Sequence, residues 1–307
     1  MENRIYYSLK DYYKNRFNSR VYKITIDAGF TCPNRDGTKG YGGCVYCDLK
    51  GSGNGASFKQ ISIEEQVLQG KNFLKKRYKA DKFFVYFQAF TNTYASVEIL
   101  KKKYDEALKY NDDIVGIIIG TRPDCIDSKK LDLISEYTDK YEVWIEYGLQ
   151  SIHSRSLDFI NRQHTVEDYI NAVNLTRKYP LKITTHIILG LPTENYNDML
   201  DTVRFVAQNH PDAVKIHSLY IPKFSRLAVI YEKEKFKLFS EKEYVQLLAD
   251  TVELLPDDMI IARLTGETDK YNLVAPSWVL NKQKVINDFK NEMIKRKSYQ
   301  GKFFGIK

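Results

Sequence analysis

Apolar runs of strand length recur along this chain at 83–90, 114–120, 142–150, 183–191 and 213–221, and stretches of helical period alternate with them. No other feature constrains the fold as tightly. The helical stretches lie near 96–110, 128–138, 165–179, 195–208 and 241–254. A sixth strand-like run, 21–30, comes earlier. It is followed by a Gly/Ser-rich segment, LKGSGNGASF, and a helix at about 62–78 whose start carries the capping-box pair Ser62 and Glu65. Strands alternating with helices of this length form βαβ units, hence an α/β fold with a parallel sheet and right-handed crossovers. Residues 1–20 read as helical or irregular. Residues 257–307, with the run MIIARLTG and a closing helix, read as an extension packed on the main body. The expected division is therefore 1–256 and 257–307.

Parallel α/β barrels bind ligands where their strands end. The 21–30 run ends in ITIDAGFTCPNRDGTKGYGGCVYCDL, which holds three of the chain's four cysteines as Cys32-x11-Cys44-x2-Cys47. Soft thiolates crowd together to bind a soft metal or an iron–sulfur cluster. Structural zinc takes four ligands, whereas a [4Fe–4S] cluster held by three leaves one iron open. Zinc with a remote His as fourth ligand is the competing reading.

Composition sets outer bounds. At 307 residues and 43% hydrophobic the chain can bury one large core or two modest ones. No apolar stretch approaches the roughly 20 residues of a membrane span, and the N-terminus has no signal-peptide pattern. Clustered rather than dispersed cysteines make a reducing cytoplasm the expected compartment. The net charge of +8 comes from 47 Lys and Arg against 39 Asp and Glu. Residues 281–307 hold eight basic and two acidic residues, interleaved with Phe289, Tyr299, Phe303 and Phe304, a composition suited to RNA phosphates and unstacked bases. A solvated helix with a frayed tail explains it equally.

The cysteine loop resembles that of radical S-adenosylmethionine (SAM) enzymes, with Tyr46 just before the last cysteine. The long first gap within CPNRDGTKGxGGCxYC is similar to the YhcC/YtqA-type branch, related to the elongator catalytic subunit. VKIHxLxxxKxxxLA (from Val214), Leu264-Thr265-Gly266-Glu267, Leu273 to Trp278 and Tyr299-Gln300-Gly301 extend the likeness from Tyr22 to Gly301. It implies a partial (β/α)6 barrel, a [4Fe–4S] cluster on Cys32, Cys44 and Cys47, and SAM on the open iron. It also implies an electron donor such as flavodoxin or ferredoxin. With one cysteine left over, a second all-cysteine [4Fe–4S] cluster is excluded.

The same resemblance nominates site residues. Gln88, Thr91 and Asn92 stand where the superfamily has a Gly-Gly-Glu-like segment for the SAM amino group, although a capped turn also explains Thr91. Glu146 is a carboxylate on an apolar strand, costly without partners. Glu146 and Gln150 match an ExGxQS segment that contacts the ribose and methionine portions of SAM. Arg162 matches an NRxHT segment whose Arg pairs with the SAM carboxylate; His164 reads as a helix-start residue. Gly190 matches the adenine-contacting turn. Lys215, His217 and Lys223 are expected to face the substrate, though Phe224-Ser225 replace the family's Gly-Thr. Arg122, held extended before Pro123, could aim into the mouth or simply pair with Asp124. Cys125 reads as a small buried residue.

For the substrate, the resemblance implies tRNA wobble-uridine modification, from 5-carboxymethylaminomethyl- to 5-aminomethyl-(2-thio)uridine, with Lys215, Lys223 or Arg122 on the carboxylate. The alternatives are the same chemistry on a small molecule, or a non-catalytic zinc-bearing RNA-binding module.

Overall fold

The computed structural model describes residues 4–51, 53–109 and 112–306. Ser52, Tyr110 and Lys307, each part of a stretch named above, lie outside the described residues. Six strands stand side by side in chain order, every neighbouring pair parallel: β1 (Val21–Ile26), β2 (Lys82–Phe87), β3 (Ile114–Thr121), β4 (Glu142–Gln150), β5 (Lys182–Leu189) and β6 (Ala213–Ser218). A two-residue β7 (Ile221–Pro222) follows. Then β8 (Ile260–Arg263), the expected appended strand, joins the same sheet as a seventh parallel strand against β6. β9 (Leu273–Ala275) pairs antiparallel with β7.

The helices are α1 (Leu9–Phe17), α2 (Ile63–Tyr78), α3 (Val97–Leu108), α4 (Ser128–Ser135), α5 (Ser154–Phe159), α6 (Val166–Thr176), α7 (Tyr196–Asn209), α8 (Arg226–Glu234), α9 (Glu241–Leu254) and α10 (Lys282–Lys295). Side-chain caps set most of their starts. Ser62 accepts from Glu65 N, but the reciprocal half of the expected box is absent there. Full boxes form instead at Ser8/Asp11, Thr165/Asp168, Asn195/Asp198 and Ser240/Glu243.

Alternation along the strands sorts side chains into two cores. Phe83, Val85, Phe87, Ile117, Ile119, Val143 and Ile145 point outward to the helices. Phe84, Ile118, Trp144, Ala213 and Ile260 point into the curl of the sheet, where Tyr12 and Tyr13 of α1 pack on them. The Tyr13 ring stacks on Phe84 at 5.2 Å and Tyr12 meets Trp144 edge-on at 5.6 Å. Two rings of about 150–250 Å² each make this a plug worth several kcal/mol. α1 touches both β1 and β8, and Ile261 N donates to Tyr7 O at 2.8 Å. The foot of the barrel is thereby closed across the gap between its edge strands, and the other end is open. Among the described residues no helix is long and apolar enough to cross a membrane.

Candidate active site

At the open end the cysteine loop is folded by its own backbone and clamped to the chain after α5. Gly43 N donates to Asn34 O at 2.8 Å and Cys47 N to Cys44 O at 3.0 Å. Gly43 has φ +73°, and a Cβ there would lie 2.8 Å from Arg35 Nε. Only glycine fits this turn at low cost. Val45 N donates to Ile160 O, Asn161 Nδ2 to Gly43 O and Asn34 Nδ2 to Asn161 O. Cys32, Cys44 and Cys47 line one cavity of about 400 Å³ together with Tyr46, Gln88, Thr91, Gln150 and Arg162.

Arg162 is the electrostatic partner of the thiols. It is buried, with Nη1 3.5 Å from Cys44 Sγ, Nη2 donating to Gly148 O at 2.9 Å, and Nε donating to His164 Nε2 at 2.7 Å. Burial alone would raise the Cys44 thiol, but the Arg162 guanidinium holds it below its ordinary value. For Cys47 burial wins and pushes the thiol up to about 11 despite Arg35 beside it. His164 is more than a helix-start residue. Burial and the guanidiniums of Arg162 and Arg122 pull it down to about 3, so the ring stays neutral. Its Nε2 lies 2.7 Å from the donor Arg162 Nε and 3.0 Å from the acceptor Gly148 O, and its Nδ1 lies 3.1 Å from Thr165 O.

The donor set fits an iron–sulfur cluster. Three soft donors share one cavity wall with guanidiniums placed to offset thiolate charge. Among the described residues no three His, Cys, Asp or Glu side chains gather tightly enough to hold a single ion. Thiolates that each bind a different iron need no such convergence.

Gly148 and Gln150 complete this side. A Cβ on Gly148 would come within 2.4 Å of Gln150 Nε2 and 2.7 Å of Arg162 Nη2, so the missing side chain is the space both occupy. Buried Gln150 has φ +73°, where the β4–β5 register shifts. A non-glycine residue is rarely held there, and such strain clusters at functional sites.

Several nominated residues stand elsewhere than expected. Asn92 does not line the cavity; its Nδ2 ties β2 to β3 by donating to Phe87 O and Gly120 O. Thr91 lines it, with Oγ1 buried and unpartnered. Gly190 lies off the wall, where its φ of +98° turns the chain after β5; Ile188 and Leu219 line the cavity instead. Arg122 is engaged structurally. It grips Asp124 with Nε and Nη2 at 2.9 Å each and donates to the carbonyls of Arg162 and Gln163. Asp124, also 2.6 Å from Lys39, falls to about 2 in spite of its burial. Cys125 is buried and its thiol is driven up to about 12 by that burial.

Glu146 lines the inner part of the cavity, one pleat above the plug, and both its oxygens are taken. Oε2 accepts from Lys215 Nζ at 2.5 Å and lies 3.0 Å from His186 Nε2; Oε1 accepts from Lys23 Nζ at 3.3 Å. Burial opposes its charge, but these neighbours hold the carboxyl well below its ordinary range. Three donors thus share the carboxylate, two on Oε2 and one on Oε1, which leaves Oε1 room for one further donor. Lys215 also reaches Tyr86 Oη at 3.0 Å. His217 stacks on His186 at 5.6 Å. Lys23, His186 and Arg263 were not among the nominated residues. Arg263 breaks the apolar run MIIARL as Glu146 breaks its own strand, a signal that could have found it.

Lys223 does not face the cavity. It is exposed just outside, its ammonium 5.7 Å from the Phe224 ring. The basic tail stands at the opposite end of the barrel. Phe289 is fully buried, and Gln300 Nε2 donates to Met259 O and its Oε1 accepts from Tyr7 N, at the foot of β8.

Residues 32–206 match the radical SAM superfamily model and residues 211–295 the Radical_SAM C-terminal domain. The chain is similar to the uncharacterized protein YtqA of Bacillus subtilis, 40% identical over 97% of this chain and 92% of that one. It is 27% identical to the tRNA uridine(34) acetyltransferase of Methanocaldococcus jannaschii, over 50% of this chain and 29% of that one. The fold matches a solved structure of Methanocaldococcus infernus Elp3 with a TM-score of 0.70 at 18% identity, covering 92% of this chain and 64% of that one. Superfamily members use a [4Fe–4S] cluster and SAM. A parallel half-barrel with three cysteines at its open end, matched along its length, thus places the chain in the radical SAM superfamily, in the YhcC/YtqA-type branch related to the elongator catalytic subunit.

Proposed function

We propose that this radical SAM enzyme acts on the tRNA wobble uridine, converting a 5-carboxymethylaminomethyl to a 5-aminomethyl side chain, with flavodoxin or ferredoxin as electron donor. Loss of a hydrogen atom and one electron from the N–CH2 carbon would give an imine that water hydrolyses, the two carbons leaving as glyoxylate while SAM ends as methionine and 5′-deoxyadenosine. The observation that carries the reading is a cavity with two unlike ends: the three thiols with Arg162 on one side, and the Glu146–Lys215 pair with Arg263 and His217 on the other. A base splayed into the mouth would carry a short acidic arm to that second side.

When bound, the cluster and SAM supply a carbon radical able to take hydrogen from an unactivated carbon. The chain's residues do the rest. Cys32, Cys44 and Cys47 would hold three irons, and the Arg162 hydrogens left over from Cys44, Gly148 and His164 would take the methionine carboxylate. Gln150, Gln88, Thr91 and Tyr46 would position the remainder of SAM. Glu146 holds Lys215 in place. The α1 plug keeps bulk water from entering at the foot.

Two features at the mouth suit RNA. Lys223–Phe224 and Lys270–Tyr271 are exposed lysine–aromatic pairs, and Lys223 N donates to Asn272 O, which joins the two segments. Their neighbours Pro222, Asp269 and Asn272 line the cavity. The name of the tRNA uridine(34) acetyltransferase relative points to the same nucleotide. Membership of a radical enzyme family removes the non-catalytic zinc reading.

The test is an anaerobic reaction of reconstituted protein, dithionite, SAM and an anticodon stem-loop bearing 5-carboxymethylaminomethyluridine. Mass spectrometry of the nucleosides should show 5-aminomethyluridine rising with 5′-deoxyadenosine. Deoxyadenosine with the nucleoside unchanged would reject the tRNA reading and favour a small-molecule substrate.

A further inference from the structure

Of the three cations expected to hold a substrate carboxylate, the structure leaves none free inside the cavity. Arg122 is committed to Asp124 and two carbonyls, Lys215 is paired with Glu146, and Lys223 lies outside the cavity. A fourth cation stands inside. Arg263 lines the cavity at the end of β8, in register with Lys215 across the β6–β8 pair. It is half-buried, and among the described residues its guanidinium makes no hydrogen bond or close ion pair, the Glu267 carboxylate being felt only at longer range. A partly desolvated guanidinium without an acceptor is costly, and its planar fork matches a carboxylate in bidentate geometry. Beside it, His217 lines the same space with Nε2 buried and unpartnered.

The surrounding charges point the same way. Lys23 and Lys215 are paired with Glu146 at 3.3 and 2.5 Å, and burial lowers both lysines from their ordinary values, so the cation of this region left without a carboxylate at contact distance is Arg263. The acids at the rim have partners of their own. Glu267 accepts from Lys282 at 2.7 Å, Asp269 from Tyr271 N and Asn272, and Asp48 from Lys50 N.

We propose that Arg263, with His217 beside it, forms a carboxylate-binding site at the inner end of the cavity that recognises the acidic end of the substrate's side arm. This rests on the tRNA reading for the identity of the arm, but not for the existence of the site. It makes Arg263 a specificity-determining residue: the arm is admitted because it ends in an anion.

The experiment compares binding of two anticodon stem-loops to the reconstituted, SAM-loaded protein, one bearing 5-carboxymethylaminomethyluridine and one bearing 5-aminomethyluridine. Wild type should prefer the first by about 10- to 100-fold, the range of a charge-assisted pair. In Arg263→Gln the ratio should fall to about one, with the second RNA bound as before. Arg263→Lys should fall between, and it serves as the comparison if the glutamine variant fails to assemble a cluster by its visible absorbance. A ratio retained in Arg263→Gln, or equal binding of both RNAs by wild type, overturns the site. If wild type binds neither RNA, the tRNA reading fails, and N-methylglycine against N-methylglycinamide decides by calorimetric titration. Preference for the acid that is lost in Arg263→Gln upholds the site, and indifference removes it.

Discussion

Cys44 and Arg162, 118 positions apart in the chain, meet with the guanidinium Nη1 3.5 Å from Sγ. The contact exists because Gly148 has no side chain: a Cβ there would stand 2.7 Å from Arg162 Nη2. Gly148→Ala should therefore displace Arg162 at a cost of about 1–3 kcal/mol in stability. Arg162→Ala should weaken SAM binding about 10- to 100-fold through the loss of charge-assisted bonds. Arg162→Lys should recover little, because one ammonium cannot span Cys44, Gly148 and His164 together. Equilibrium dialysis with SAM and iron content after reconstitution report both effects. Unchanged affinity in Arg162→Ala would remove it from the SAM site.

The buried Glu146–Lys215 pair should behave as a unit. Removing one charge in Glu146→Gln or Lys215→Met should destabilise by about 3–5 kcal/mol, because the partner is left uncompensated. The double variant should lose less than the sum of the two. Denaturant unfolding of all four proteins gives the coupling, and strict additivity would contradict the contact.

Acid stability should depend on His164. Its folded-state value lies near 3, below the unfolded value of about 6.5. The unfolded chain therefore binds the extra proton between these limits, so stability falls as pH drops through that window. The slope approaches about 1.4 kcal/mol per pH unit. His164→Gln should flatten the curve between pH 6.5 and 4 relative to wild type. His186, lowered to about 4 chiefly by burial, adds a similar slope to both proteins. Thermal melts across this range decide it, and parallel curves would refute the assignment.

RNA affinity should follow the mouth and not the tail. Phe224→Ala with Tyr271→Ala should weaken stem-loop binding by about 1–3 kcal/mol per stacked base lost, and Lys223→Ala should reduce its salt dependence. Gln300→Ala should destabilise the fold by about 1–3 kcal/mol while leaving RNA affinity intact. The reverse pattern in filter binding would return the RNA to the basic tail.

The strand–helix rhythm was legible because each element's period survives in its own residues. β4 has the same bounds in sequence and structure, Glu142–Gln150. The cysteines were legible because three soft donors in a short loop have few other uses. Glu146 was rightly marked as needing partners. But its partner sits 69 positions away on β6, and period alone does not say which strands meet across a curled sheet. Arg122 went to the local partner, Asp124, which lies within reach whatever the fold does. Lys223 stands at the rim of the cavity and not inside it, because the chain turns at a two-residue strand, β7, too short to leave a pattern. α1, within a stretch read only as helical or irregular, was hard to see for a related reason. The buried residues of its packed face are tyrosines, Tyr12 and Tyr13, with Leu9 and Phe17 at the margins, and tyrosines read as surface until something is found for them to cover.

That helix makes the barrel a vessel with one doorway. With Tyr12 and Tyr13 stopping the foot, the cavity is approached from the end where the cysteine loop and the β7–β9 pair stand. On the tRNA reading proposed above, a cofactor the size of SAM would have to be seated before the RNA covers the opening, and the fragments it leaves would wait until the RNA departs. The order of arrival and of departure would then be set by nine residues at the end farthest from the chemistry.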